Sequence, residues 1–463
     1  MISPHDTRRS AHRLLVPVCG VLALVVLAAG LVTVAVRRSG DSTTRARPTG
    51  SSGPAPPPTA TSTTVPPGPS SDEPAYITRI KAQVAELRGL AWKSPLKVEV
   101  VSKDELAARV RSAIQRDRRP DRMDGDGDTY KILHLIPGDL DYTKTIDNLY
   151  SGLVLGFYDP KTKELVVGDT GSDGGDVDGA TKVTLAHELD HALTDQWFDF
   201  GSKEQALDDA DREEEVDAFT ALIEGDAKFL EARYAEADLS EEEQLAYALQ
   251  GLGVGDTDTG AAAKLLQTPS FLLRYLYFPY ENGLAFVKAE SGNAADVNAG
   301  IDAAYRRPPT STEAILHPDV YATDQGWTSP QLADVAGATG CQARRRSTLG
   351  EFKMGELLGA ELDVPTATAA AQGWNGDAFE TVRCGSALGL VDRWQADGDA
   401  AASRLVAALT KWAPGWAGSP LPVDGRFSGP GGTGRILRAG SVVTLVLGAD
   451  ASTADRLATA AGG

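Results

Sequence analysis

Hydrophobic and polar positions divide this chain sharply. From Leu14 to Val36 no charged residue occurs: "LLVPVCGVLALVVLAAGLVTVAV". A helix needs about 20 such residues to cross the apolar core of a bilayer. Secretory signal peptides carry a shorter apolar core. The pattern therefore predicts a signal anchor over 14–36 behind a short basic tail, 1–13; cleavage after Ala35 is the alternative. Residues 37–74 are rich in Pro, Ser and Thr and nearly devoid of apolar residues. Such a tract buries too little surface to offset its ordering entropy, which predicts a disordered stalk.

Beyond residue 75 the periodicity changes several times. "KVEVV" (Lys97–Val101) reads as a strand, followed by a helix whose start carries Ser102 and Glu105 in a capping-box pattern. "YKILHLIP" (Tyr130–Pro137) reads as a second strand. "LVLGFYDPKTKELVVGD" reads as a hairpin, two apolar runs around the turn "DPKTK". A Gly/Asp-rich loop then leads into "ATKVTLAHELDHALTDQWF", apolar at helical spacing through Val183, Leu185, Leu189, Leu193 and Trp197. "EEVDAFTALIEGDAKFLEARYAEA" is a further helix, with Glu213, Glu214 and Glu215 read as a solvated face. Strand, helix, strand, hairpin and helix in that order predict an α+β domain over 75–330. Residues 331–463 read as mostly helical, with one small hairpin in "GRILRAGSVVTLVLG".

Composition narrows the function. The chain has 463 residues, 42% of them hydrophobic, enough for one large or two ordinary domains. Its formal net charge is -19, which argues against nucleic acid as a partner, since phosphate contacts need clustered Lys and Arg. Cysteine occurs 3 times. Cys341 and Cys384 are the two outside the N-terminal apolar run; they can form one disulfide or remain two buried thiols, because spacing alone does not set pairing. "DGDGD" (Asp124–Asp128) lacks the later ligands of a calcium loop and reads as an acidic turn.

The residues that carry chemistry lie in "HELDH". Residues four apart share one face of a helix, so His187 and His191 can direct their rings at one ion. Glu188 stands beside that ion and is placed to hold a water against it. Only 6 histidines occur in the whole chain, and a chance match to this pattern is on the order of half a percent. Catalytic zinc takes a third protein ligand. Glu224, a lone carboxylate in the apolar stretch "ALIEGDA", is the candidate, because an unpaired buried charge needs a reason.

"HELDH" followed by a helix with "EGDA" resembles the glutamate-type zincins, the gluzincin metallopeptidases. "GFYDPKTKELVV", "PYENGLAFV" and "PPTSTEAILHP" extend the likeness to bacterial membrane-anchored proteins with a zincin-like peptidase domain. The resemblance covers roughly residues 90–320. It implies a small sheet whose exposed edge, Leu153–Tyr158 or Glu164–Gly168, pairs with an extended peptide substrate. It also implies zinc bound by His187, His191 and Glu224, with Glu188 as general base. His317 and then Tyr280 are the candidates to stabilise the oxyanion. Asp195 and Asp217 are the candidates to orient the ligands. The expected protein is thus a membrane-anchored, extracytoplasmic zinc peptidase. The alternative is a membrane-tethered binding protein of the cell envelope on the same scaffold.

Overall fold

The computed structural model describes residues 73–150, 156–170, 177–251, 267–292, 296–323 and 326–462. The predicted membrane span over 14–36 lies outside them, as does the stalk except Glu73 and Pro74. Among the described residues no helix is long and apolar enough to cross a membrane.

The first half opens with helix α1 (Ala75–Arg88), strand β1 (Lys97–Val101) and helix α2 (Lys103–Asp117). The α2 start is capped as expected: the Glu105 N–H donates to the Ser102 hydroxyl at 3.2 Å. Helices α3 (Pro120–Ile132) and α4 (Tyr142–Tyr150) follow. The hairpin is present as β2 (Gly156–Asp159) and β3 (Glu164–Gly168). Its turn is held by Asp159 Oδ1, which accepts from the N–H groups of Lys161 at 2.9 Å and Thr162 at 3.4 Å. β3 is the middle strand of three, parallel to β1 and antiparallel to β2.

A set of helices follows, of which α5 packs against that sheet: α5 (Gly179–Phe198), α6 (Phe200–Asp209), α7 (Glu213–Asp238), α8 (Glu241–Gly251), α9 (Ser270–Gly292), α10 (Val297–Arg306), α11 (Thr312–Leu316) and α12 (Pro318–Thr323). The first core lies among α1, α5, α7, α9 and α10, around Ile80, Leu189, Leu222, Phe219 and Phe286. The crossing of α7 and α9 is very close. A Cβ on Gly283 would sit 1.9 Å from the Ala221 carbonyl oxygen, and one on Gly225 would sit 2.3 Å from the Gly283 carbonyl. Only glycine permits that approach.

The second half corrects the expected fold. Residues 331–463 are not mostly helical. They form a six-stranded antiparallel sheet in the order β4-β5-β6-β9-β8-β7. After α13 (Val335–Thr339) come β4 (Gln342–Ser347), α14 (Gly350–Gly359), α15 (Val364–Ala371), β5 (Trp374–Cys384) and β6 (Ala387–Ala396). They are followed by α16 (Asp399–Ala417), β7 (Arg426–Gly429), β8 (Gly432–Ala439), β9 (Val442–Gly448) and α17 (Ala451–Ala460). One face of the sheet packs on α16 through Leu390, Trp394, Leu445 and Trp412, the other on α17 through Val391, Val446 and Leu457. "DAFETVRC" and "LGLVDRWQA" mix charged and apolar residues with neither a clean period-2 alternation nor a hydrophobic run. Both faces are nevertheless buried, so strand periodicity was masked. Cys341 and Cys384 are joined in a disulfide across β4 and β5.

A second correction concerns Tyr130–Pro137. It is the end of α3 and a turn through His134, whose φ is 57°, and not a strand. Pro120 starts α3, and "DGDGD" lies inside this helix, not in an acidic turn. Its aspartates face the arginines of β4 and β5. Asp126 pairs with Arg345 at 2.7 Å, and Asp128 with Arg344 at 2.5 Å and Arg383 at 2.6 Å. Gly125 lets the strand approach, since a Cβ there would meet the Arg344 carbonyl at 2.3 Å. Tyr130, Leu133 and Ile136 enter the second core, together with Phe271 and Leu272 of α9.

Candidate metal centre

α5 brings the two histidines together. Asp178 caps it, accepting from the Thr181 N–H at 2.9 Å, and the helix runs 20 residues, buried on nearly every side. A helix apolar all round belongs inside a protein. His187 is 0% exposed and His191 1%. α7 crosses it and supplies Glu224, also 1% exposed. The His187 and His191 Nε2 atoms lie 3.0 Å apart. Glu224 Oε2 lies 3.2 Å from the first and 3.5 Å from the second. Three ligands at zinc distances of about 2.0–2.1 Å in a tetrahedron stand about 3.3 Å from one another. The triangle matches that spacing, and among the described residues it is the group of His, Cys, Asp and Glu arranged to hold a metal.

Two imidazoles and one carboxylate are a donor set that zinc takes. Burial alone would raise the Glu224 pKa; the two histidines offset it, and the carboxyl sits below its ordinary range. Burial lowers both histidines. His191 stays below its ordinary value, while Glu224 and Glu231 lift His187 to about 10. Both Glu224 oxygens lack a hydrogen-bond donor, as does Glu188 Oε1. Buried carboxylates without donors are costly unless a cation stands against them.

Glu188 lies on the same helix, 0% exposed. Its Oε2 accepts from the backbone N–H of Tyr158 at 2.8 Å. β2 is an edge strand of the sheet beside the motif, but not the exposed edge that the resemblance implies, because its four residues are buried; Tyr158 fixes one oxygen of Glu188, and the other has no donor. The second expected edge, Glu164–Gly168, is the central strand β3; residues 153–155 lie outside the described ones. Burial pushes the Glu188 carboxyl well above the ordinary range, so it favours holding a proton.

The remaining predicted residues divide. Tyr280 on α9 is buried beside the centre, its ring 6.5 Å from that of His187. His317 is not drawn to the ligands; its Nε2 pairs with Glu351 at 2.8 Å, on α14. Asp195 does not orient His191. It accepts from the Tyr158 hydroxyl at 2.6 Å, from Lys163 at 2.5 Å and from the Gly201 N–H at 3.0 Å, and so braces the residue that holds Glu188. Asp217 faces away from Glu224, towards Lys353 at 2.5 Å and the Tyr275 hydroxyl at 2.9 Å.

Glu231 does what was expected of Asp217. The His187 Nδ1–H donates to Glu231 Oε1 at 2.7 Å, leaving Nε2 free as a ligand. Lys228 and the Tyr247 hydroxyl hold the other Glu231 oxygen. Burial alone would raise the Glu231 pKa, but Lys228 and His187 bring it down to about 2. Its signal was present in the sequence: it follows Glu224 by seven residues, two turns along the same face.

Behind the centre stands Arg88 of α1, 1% exposed. It donates to Asp226 of "EGDA" at 3.1 and 3.2 Å and to Asp302 at 2.9 Å, and lies 3.7 Å from Asp190 of "HELDH". One guanidinium thus ties the motif helix to the helix bearing Glu224. The N-terminal end of α7 is tied as well. Glu213, expected to be solvated, is paired with Arg345 at 2.5 Å and Lys353 at 3.1 Å. Glu214, 0% exposed, accepts from the Thr312 N–H at 2.5 Å.

A family model described as a domain of unknown function (DUF8575) matches residues 338–458. The matched stretch contains the whole six-stranded sheet. No curated protein and no solved structure matches the chain. The metal centre lies outside the matched residues, so its reading rests on its own geometry.

Proposed function

We propose that this protein is a zinc-dependent peptidase of the zincin type. The observation that carries this is the triangle of His187, His191 and Glu224, with the free oxygen of Glu188 on the same helix as the two histidines. Those three residues would hold the ion. Bound zinc would polarise a substrate carbonyl and lower the pKa of a coordinated water towards neutrality. Glu188, with one oxygen lacking a donor, would serve as general base and then as proton donor to the leaving amine. Tyr158 and Asp195 keep Glu188 in place, and Glu231 keeps the His187 ring turned. Tyr280, beside His187, remains the candidate for oxyanion contact. The Cys341–Cys384 disulfide supports an oxidising, extracytoplasmic location.

A second reading, a binding protein built around a structural metal, is favoured by the complete burial of Glu188. Metal analysis and one variant separate the two. The peptidase reading expects about one zinc per chain in the parent and in Glu188→Gln, with casein or a peptide library cleaved by the parent alone. Protein purified without chelators that takes up no zinc overturns it. Zinc with no cleavage by the parent supports the second reading.

A further inference from the structure

A groove of about 490 Å³ opens where α9 meets α14 and α15. That is within the range of roughly 300–1,000 Å³ typical of ligand sites. Its walls are apolar: Leu273, Tyr277 and Leu316 on one side, Phe352, Ala367 and Ala371 on the other. Gly355 and Gly359 leave it open, since a Cβ on either would touch nothing nearer than 3.8 Å. Apolar walls alone would not define an occupant, but the charges do. Glu351 lines the groove, is 3% exposed, and has one oxygen on His317 at 2.8 Å. Its second oxygen, Oε2, has no hydrogen-bond donor. Glu281 stands exposed at the rim. Arg274, the groove's own cation, is taken by Glu356 at 2.6 Å. The lining therefore offers apolar contact, an acceptor oxygen of Glu351 that lacks a donor, and the carboxylate of Glu281 at the rim.

We propose that this groove binds a basic side chain of a peptide, a lysine or arginine flanked by apolar residues, with its cationic head at Glu351. The apolar walls take the methylene stem and the neighbouring side chains, as the stems of Lys and Arg readily pack on apolar surface. The head supplies the donors that Glu351 Oε2 lacks; a charge-assisted bond of this kind is stronger than a neutral one. The site is distinct from the metal centre: none of the three ligands nor Glu188 lines it.

The test is isothermal titration of the full chain with N-acetyl-Leu-Lys-Leu-amide and with the same peptide carrying norleucine for lysine. Titrations repeated in Glu188→Gln remove any cleavage of the probe. The lysine peptide should bind at least tenfold more tightly than the norleucine peptide. Glu351→Gln should erase that difference. Gly355→Leu, which fills the groove and suits its helix, should abolish binding of both. Equal binding of the two peptides, no binding of either, or an undiminished preference in Glu351→Gln overturns the proposal. None of these outcomes depends on whether the protein binds zinc.

Discussion

Glu231 Oε1 receives the Nδ1–H of His187 at 2.7 Å, while Nε2 of the same ring faces Glu224 Oε2 at 3.2 Å. Two glutamates of one helix, seven residues apart, thus define both edges of one imidazole. A carboxylate only accepts, so Nδ1 carries a proton towards Glu231, and an ion held between Nε2 and Glu224 would meet the Nε2 lone pair.

Glu231→Gln should therefore weaken zinc binding without removing a ligand. A partner of this kind is worth about 10–100-fold in metal affinity. Competition against a chromophoric chelator measures it. Glu224→Gln should lose far more. Equal affinities in Glu231→Gln and the parent would contradict the orienting role.

Arg88 faces three aspartates from three helices. Arg88→Met would leave Asp190 and Asp226 buried without a cation, a loss of about 3–5 kcal/mol by analogy with broken buried pairs. Urea unfolding reads this directly. Adding Asp190→Asn and Asp226→Asn to Arg88→Met should recover part of the loss; no recovery would mean that packing, not charge, explains the first effect.

The glycine crossing gives a different kind of expectation. Gly283→Ala places a Cβ 1.9 Å from the Ala221 carbonyl, so α9 must move away from α7. Overpacking of this sort costs about 1–3 kcal/mol. Because Glu224 lies on α7 next to Gly225, zinc affinity should fall along with thermal stability. Retention of both in Gly283→Ala would show that the helices separate freely.

His317 should make stability depend on pH. Its pKa is raised by the hydrogen bond to Glu351, with Glu313 and Asp319 adding to it and burial opposing. The folded state thus favours the charged ring. That contribution is complete below the unfolded value of about 6.5 and disappears as the pH climbs through the raised folded value. Unfolding free energies measured upward from about pH 6.5 should decline in the parent and decline less in His317→Gln. Identical slopes would rule the pair out as the cause.

The candidate metal ligands were legible because they are written in local spacing. His187, Glu188 and His191 fall on one helix, and Glu224 announced itself as a charge in an apolar run. Arg88 was not legible, since its meaning depends on which helices lie opposite, and Glu231 carried only a spacing signal, two turns beyond Glu224, that does not say which ring it faces. Arg88 reads as an ordinary surface residue of an amphipathic helix until Asp190, Asp226 and Asp302 surround it. Glu213 and Glu214 misled for the same reason: three glutamates at a helix start look solvated, and only Lys353, Arg345 and Thr312, about a hundred residues or more away, show otherwise. The second sheet was hidden because both its faces are covered. Its strands carry ion-paired Arg and Glu380 and buried Asp377 and Asp392 where a half-exposed strand would alternate cleanly. The "KILHLIP" run has the β-branched content of a strand, yet Pro120 and the docking of α3 on β4 made its first part helical.

The grip of Lys353 and Arg345 on Glu213 has a consequence for how the chain can be divided. The helix that carries Glu224 is held at its first turn by the unit beyond residue 338 and at its middle by the motif helix. A truncated chain ending before that unit would keep all three proposed zinc ligands and lose an anchor of the helix presenting one of them. Metal occupancy would then report on the integrity of the whole assembly, and the centre would not transplant to another scaffold as a self-sufficient module.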